Sequence, residues 1–203
     1  MKRFTALERF EIRLSGLGGQ GVITLGKVLG GALALGHGFH VTQTQSYGPE
    51  ARGGASRTDL VVSTVPISYP KAESVDLLVA LSQEACNTYY RNMKPRGILV
   101  IESDLVRQPP SNFYLGLPFT RLARDKIGVP QAMNSVVLGA LTWLLPFARQ
   151  AVMKKALAAS LPAKVLDKNL KAFSLGYSQA KKHFGPPPAL WDGNGDETEE
   201  PGD

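Results

Sequence analysis

Apolar and polar residues alternate over 11–15 (Glu-Ile-Arg-Leu-Ser), the period-two pattern of a strand. Over 20–35, Val22, Leu25, Val28, Leu29, Ala32, Leu33 and Leu35 recur at helical spacing, and Gly36 and Gly38 stop that helix. Residues 39–44 read as a second strand and 57–64 as a third, with Pro66 and Pro70 bracketing a turn beyond it. The short apolar run at 76–80 predicts a strand buried on both faces. A helix at 83–93 and a strand at 97–101 complete a further βαβ unit. Past Pro130 the pattern turns helical. Met133, Val136, Val137, Ala140, Leu141 and Leu144 form one stripe; Leu166, Leu170, Phe173 and Tyr177 form another. The sequence therefore predicts an α/β fold: a mostly parallel sheet flanked by helices, with a Rossmann-like start and a helical C-terminal part.

Composition sharpens this picture. At 203 residues and 43% hydrophobic, the chain suits one domain, expected over 1–184. From Gly185 it passes through three prolines into acidic, Gly-containing sequence, so 185–203 is expected to be a disordered tail. Six acids and no base lie between Asp192 and Asp203; the remainder carries 23 bases against 11 acids, a net +12. Such a body attracts anions or acidic partners. Its bases are dispersed, without an aromatic-interleaved stripe, so nucleic acid is not an expected partner. Cys86 is the single cysteine and cannot by itself make a disulfide, a zinc site or a cysteine-ligated cluster. No apolar run approaches the ~18 residues of a membrane span, and the charged start is unlike a secretory signal. A cytoplasmic location is the simplest expectation.

Two glycine-rich loops stand out. Gly16-Leu17-Gly18-Gly19-Gln20-Gly21 fits G-x-G-x-x-G between a strand and a helix. Glycines let backbone approach a ligand closely, and a helix N-terminus offers free N–H groups with about half a positive charge. A phosphate suits such a place. A nicotinamide dinucleotide site should add an acid ~20 residues on, yet the second strand ends Thr42-Gln43-Thr44-Gln45. No Lys-Ser/Thr pair follows the glycines, which excludes a P-loop. A tight turn that binds nothing is the competing reading. The second loop, Ser46-Tyr47-Gly48-Pro49-Glu50-Ala51-Arg52-Gly53-Gly54, combines a rigid proline with permissive glycines around opposite charges. It reads as a loop presented to a ligand or a partner's active site, or as a structural corner clasped by Glu50 and Arg52.

Here the chain resembles the gamma subunit, or gamma domain, of the 2-oxoacid:ferredoxin oxidoreductases. The resemblance rests on Gly18-Gly19-Gln20-Gly21-Val22 and on the run from Thr42 through Tyr47-Gly48-Pro49-Glu50-Ala51-Arg52-Gly53-Gly54 to Ser56. Pro66-Ile67 with Tyr69-Pro70, Asp76–Leu81, Lys94–Leu99 and Asn134–Ala140 extend it over about 11–180. The loop form most resembles the 2-oxoglutarate branch, with the pyruvate and branched-chain branches next; the indolepyruvate branch lacks the Tyr-Gly-Pro-Glu form. The resemblance implies an enzyme that decarboxylates a 2-oxoacid on thiamine diphosphate, passes electrons through iron–sulfur clusters to ferredoxin and releases an acyl-CoA. It places the thiamine and cluster sites mainly on other subunits, so this chain is expected to need partners for turnover. Coenzyme A is the candidate ligand of this chain. The cofactor-binding candidates are Gly16, Gly18, Gly19, Gln20, Gly21, Tyr47, Glu50, Arg52, Gly53 and Gly54, with Arg52 as a fixed cation. No catalytic or metal-ligating residue is assigned.

Other residues draw weaker readings. His37, His40 and His183 are scattered and suit solvated or capping roles. Cys86 suits a buried small hydrophobe. Asp76 can cap or pair, and Asn134 can cap a helix or touch a subunit. Glu102-Ser103-Asp104 follow a central strand, where open α/β sheets place ligands. Two readings of other classes stay open: a stand-alone nucleotide-binding α/β enzyme, and a purely architectural subunit.

Overall fold

The computed structural model describes residues 7–46 and 55–186. Its centre is a six-stranded sheet: β1 (Phe10–Leu17), β2 (His40–Ser46), β3 (Ala55–Ser63), β4 (Val75–Ala80), β5 (Met93–Glu102) and β6 (Leu115–Leu117), in the order β2-β3-β1-β4-β5-β6. The β1–β4, β4–β5 and β5–β6 pairs are parallel, whereas β3 runs antiparallel to both β1 and β2. Only β3 is thus reversed, and the sheet is mixed but mostly parallel. The start departs from a Rossmann order. β2 and β3 form an antiparallel pair, and β3 inserts between β2 and β1.

Helices cover both faces. α1 (Val22–Gly31) runs into a wider π-helical turn at Ala32–Gly36; α4 (Met133–Leu144), α5 (Gln150–Ser160) and α6 (Ala163–Phe184) pack on the same face. That face is built on Ile12, Leu14, Leu60, Val62, Leu77 and Val79. α2 (Gln83–Tyr89) covers the other, over Leu78, Ala80, Leu99 and Ile101. α3 (Phe119–Leu122) follows β6. Both faces of β4 are covered, as its unbroken apolar run requires.

The expected α4 stripe is buried throughout, and Ser135, Leu138, Gly139 and Thr142 are buried with it, because α4 packs against α1, α3, α5 and α6. On α6 the buried face is Asn169, Ala172, Phe173, Gly176 and Ala180, whereas Leu166, Leu170 and Tyr177 are only half-buried. Phe173 keeps its expected place, and small residues complete the face. A Cβ at Gly176 would run into the backbone of Val136, and one at Gly139 into that of Phe173. Leu35, expected in the α1 stripe, is 93% exposed. The helix 83–93 ends early: Tyr90–Asn92 form one 3₁₀ turn, and β5 starts at Met93. β6, α3 and α5 had no counterpart in the sequence reading.

β1 carries a further departure from simple alternation. Glu11, Arg13 and Ser15 are all buried on the α2 side. Each is satisfied: Glu11 accepts from the Glu73 and Ser74 N–H groups, Ser15 donates to the Val79 carbonyl, and Arg13 pairs with Asp59.

Candidate functional site at the paired loops

The first loop begins inside β1. Gly16 is in the strand, opposite Ser56, and Leu17 is opposite Ala55. The chain then turns through Gly18 and Gly19 and enters α1 at Gly21. Gly19 (φ 89°) and Gly21 (φ 70°) occupy the left-handed region, where a side chain is strained. Gln20 ties the turn: its Oε1 accepts from the Leu17 N–H at 2.6 Å and its Nε2 donates to the Leu81 carbonyl at 3.0 Å. Asn134, at the first turn of α4, donates from Nδ2 to the Gln20 carbonyl at 3.0 Å. A Cβ at Gly21 would collide with that amide.

α1 starts with no side-chain cap and no acid in its first turn. Its N-terminus opens on a cleft of about 350 Å³ lined by Leu17, Gly18, Gly19, Gly21, Val22 and Thr24 together with Ser56. No charged side chain lines it among the described residues. Backbone N–H groups and the positive end of α1 therefore set its polarity, which favours an anion. Of the expected residues, Gly18, Gly19 and Gly21 line the cleft. Gly16 is buried in the strand, and the Gln20 amide is committed to the turn.

Tyr47, Glu50, Arg52, Gly53 and Gly54 lie outside the described residues. The feet of their loop are defined. Ser46 ends β2, Ala55 begins β3, and the β1–β3 register sets Ala55 and Ser56 directly against Leu17 and Gly16. The first glycine-rich loop and the β3 foot of the second therefore lie side by side at one end of the sheet.

A buried polar cluster supports the second foot from beneath, and the sequence reading missed it. Arg13 forms a bidentate pair with Asp59, Nε–Oδ1 2.7 Å and Nη2–Oδ2 2.9 Å, and donates to Asn92 at 2.9 Å. The Tyr89 ring lies against both Arg13 and Arg57, 5.2 and 5.3 Å from ring centroid to guanidinium carbon. Its hydroxyl donates to the Ala55 carbonyl at 2.9 Å. Burial raises the Tyr89 pKa, so the hydroxyl stays a donor at neutral pH. The signal was present: an arginine at the centre of a strand whose neighbours are core residues.

The remaining candidates settle into structural roles. Glu102 is 1% exposed and accepts from the Thr120 N–H and hydroxyl at the start of α3. Asp104 pairs with Arg121, so Glu102–Asp104 secure the β5–α3 connection. Asp76 pairs with Lys94 and accepts from the Glu11 N–H. Cys86 is buried, and desolvation pushes its thiol up to about 11. His37 bridges two elements: Nδ1 lies 2.9 Å from the Ala32 carbonyl, and Nε2 accepts from the Arg149 N–H that precedes α5. Among the described residues no group of three or more His, Cys, Asp and Glu could hold a metal ion, and no helix is long and apolar enough to cross a membrane.

The sequence matches the model of the pyruvate ferredoxin/flavodoxin oxidoreductase family over residues 11–179. The chain belongs to that family. It is 46% identical to the 2-oxoglutarate synthase subunit KorC of Methanocaldococcus jannaschii over 178 residues, covering 86% of this chain and 95% of the relative. The ketoisovalerate oxidoreductase subunit VorA of Methanothermobacter thermautotrophicus is 30% identical, and there the match spans 37% of a longer protein. Among solved structures, the gamma subunit of the keto/oxoacid ferredoxin oxidoreductase of Geobacter sulfurreducens superposes with a TM-score of 0.79 at 35% identity, covering 86% of this chain and 98% of that one. The family assignment bears out the resemblance carried by the two loops, and the superposition bears out the α/β fold.

Proposed function

We propose that this chain is the gamma subunit of a 2-oxoglutarate:ferredoxin oxidoreductase, converting 2-oxoglutarate, CoA and oxidised ferredoxin to succinyl-CoA, CO₂ and reduced ferredoxin. The observation that carries the reading is the 46% identity along nearly the whole of a 2-oxoglutarate synthase subunit. Identity falls to 30% for the ketoisovalerate enzyme, which favours 2-oxoglutarate over branched-chain substrates. Thiamine diphosphate and the iron–sulfur clusters belong to partner subunits in this reading, and thiamine supplies there the carbanion chemistry of decarboxylation. Ferredoxin is met through the complex, in the cytoplasm. The part of this chain is assembly and the reception of CoA. Gly18, Gly19 and Gly21 leave the α1 N–H groups open to a CoA phosphate, and Arg52 supplies a cation from the neighbouring loop.

A tag on this chain tests the reading. Partner subunits should co-purify, and the complex should reduce ferredoxin only with 2-oxoglutarate and CoA together. Preference for another 2-oxoacid, or recovery of the chain without partners, would overturn it. The architectural reading has its own support in Gln20 and Asn134, which close the first loop with internal hydrogen bonds. Titration of the complex with CoA separates the two: an architectural subunit leaves CoA affinity unchanged when Gly18 is replaced by Asp.

A further inference from the structure

A second concavity, of about 690 Å³, runs between α1 and α5, and no residue of the first glycine-rich loop is in its lining. Val28, Ala32, Val152 and Ala156 give it an apolar floor, Lys27 and Lys155 stand on it, and no acid lines it among the described residues. Leu35 lines it too, though 93% exposed.

We propose that the groove is covered by this chain's own segment 189–200, with Leu190 and Trp191 on the floor and the acids that follow against Lys27 and Lys155. Three observations favour this occupant. The first is where the chain leaves α6. The Gly185 carbonyl accepts from Trp143 Nε1 at 2.7 Å, near the end of α4. The connection that follows α4 brings Arg149 to the Gly36 carbonyl at 2.8 Å, and Gly36 lines the groove. The second is reach. Trp191 follows Gly185 by six residues, up to about 20 Å of extended chain. α5, which lines the groove through Val152, Lys155 and Ala156, is about 10 Å wide. The third is complementarity. Segment 189–200 reads Ala-Leu-Trp and then Asp192, Asp196, Glu197, Glu199 and Glu200 without a base, the match to an apolar groove carrying two lysines.

Fluorine NMR of the full chain labelled with 5-fluorotryptophan tests the docking, because the chain has two tryptophans and Trp191→Phe assigns them. The Trp191 resonance should differ from that of a free peptide spanning 187–203, at every protein concentration. Lys27→Glu with Lys155→Glu, or Leu35→Asp alone, should return it to the free-peptide position, while Trp143 stays put and reports an intact fold. A Trp191 resonance at the free-peptide position in the wild-type chain would overturn the proposal. So would a shift that grows with concentration, which assigns the groove to a second copy, or a shift that survives both variants.

Discussion

Arg13 shows how much one side chain decides. Its side chain and that of Asp59 are almost wholly buried and face each other across the β1–β3 pair. Removing one partner leaves the other charged and desolvated, which costs about 3–5 kcal/mol, whereas replacing both with apolar residues of similar volume is close to neutral. Chemical denaturation should show Arg13→Ala strongly destabilised and Arg13→Met with Asp59→Leu near wild type. The double replacement still removes the cation packed on Tyr89, so the Ala55 end of the second loop should exchange amide protons faster. His37 gives a pH dependence. Burial, aided by the Arg149 charge, lowers its pKa below 6.5, against an opposing contribution from the Ala32 carbonyl. The unfolded chain therefore binds the proton more readily, and the His37 contribution is complete above pH 6.5 and lost as pH falls. Nε2 accepts from the Arg149 N–H only while neutral. Melting temperatures from pH 8 to pH 5 should fall, with a shallower slope for His37→Gln; an equal slope would refute the assignment.

At the scale of elements, the α4–α6 pair is the most demanding contact. Gly139 and Gly176 let the two backbones meet, and a methyl at either position has only backbone to displace. Gly176→Ala should cost about 2–3 kcal/mol, roughly 5–10 °C in Tm for a chain of this size, although alanine is the better helix former. A melting curve at or above wild type would show that the helices can separate cheaply. The apolar stripe of α4 was legible in sequence because every face of that helix meets protein. The stripe of α6 was only partly legible: Phe173 is buried as expected, whereas Leu166, Leu170 and Tyr177 sit beside the contact and small residues complete it. The α1 N-terminus depends on α4 in the same way. Asn134→Leu removes the bond to the Gln20 carbonyl and should loosen the first loop. Faster amide exchange at Gly18–Gly21 with little change in Tm is the expected outcome; a large drop in Tm would make Asn134 a general stabiliser instead.

Across the whole molecule, the site is a product of register. Leu17 and Ala55 are paired across β1 and β3, so Ala55, three residues after Arg52 in sequence, stands beside a residue that lines the cleft. On the reading of that cleft as a CoA phosphate site, Arg52→Ala should raise the Michaelis constant for CoA in the assembled enzyme by about 10-fold or more, the worth of a hydrogen bond to a charged group, with kcat little changed. An unchanged constant would leave the loop with assembly alone. The sequence by itself determined the α/β class, both loops, the missing ribose-binding acid and the family, because periodicity, glycine placement and short motifs are local properties of the chain. It also showed a single thiol. Only the tertiary structure decided that β3 enters between β1 and β2, which face of α6 is buried, that Arg13 is a core residue, and that Ser56 at the foot of the second loop lines the cleft of the first. Each of those depends on pairings between residues tens to more than a hundred positions apart, and a local pattern of apolar and polar positions carries no record of which partner covers it.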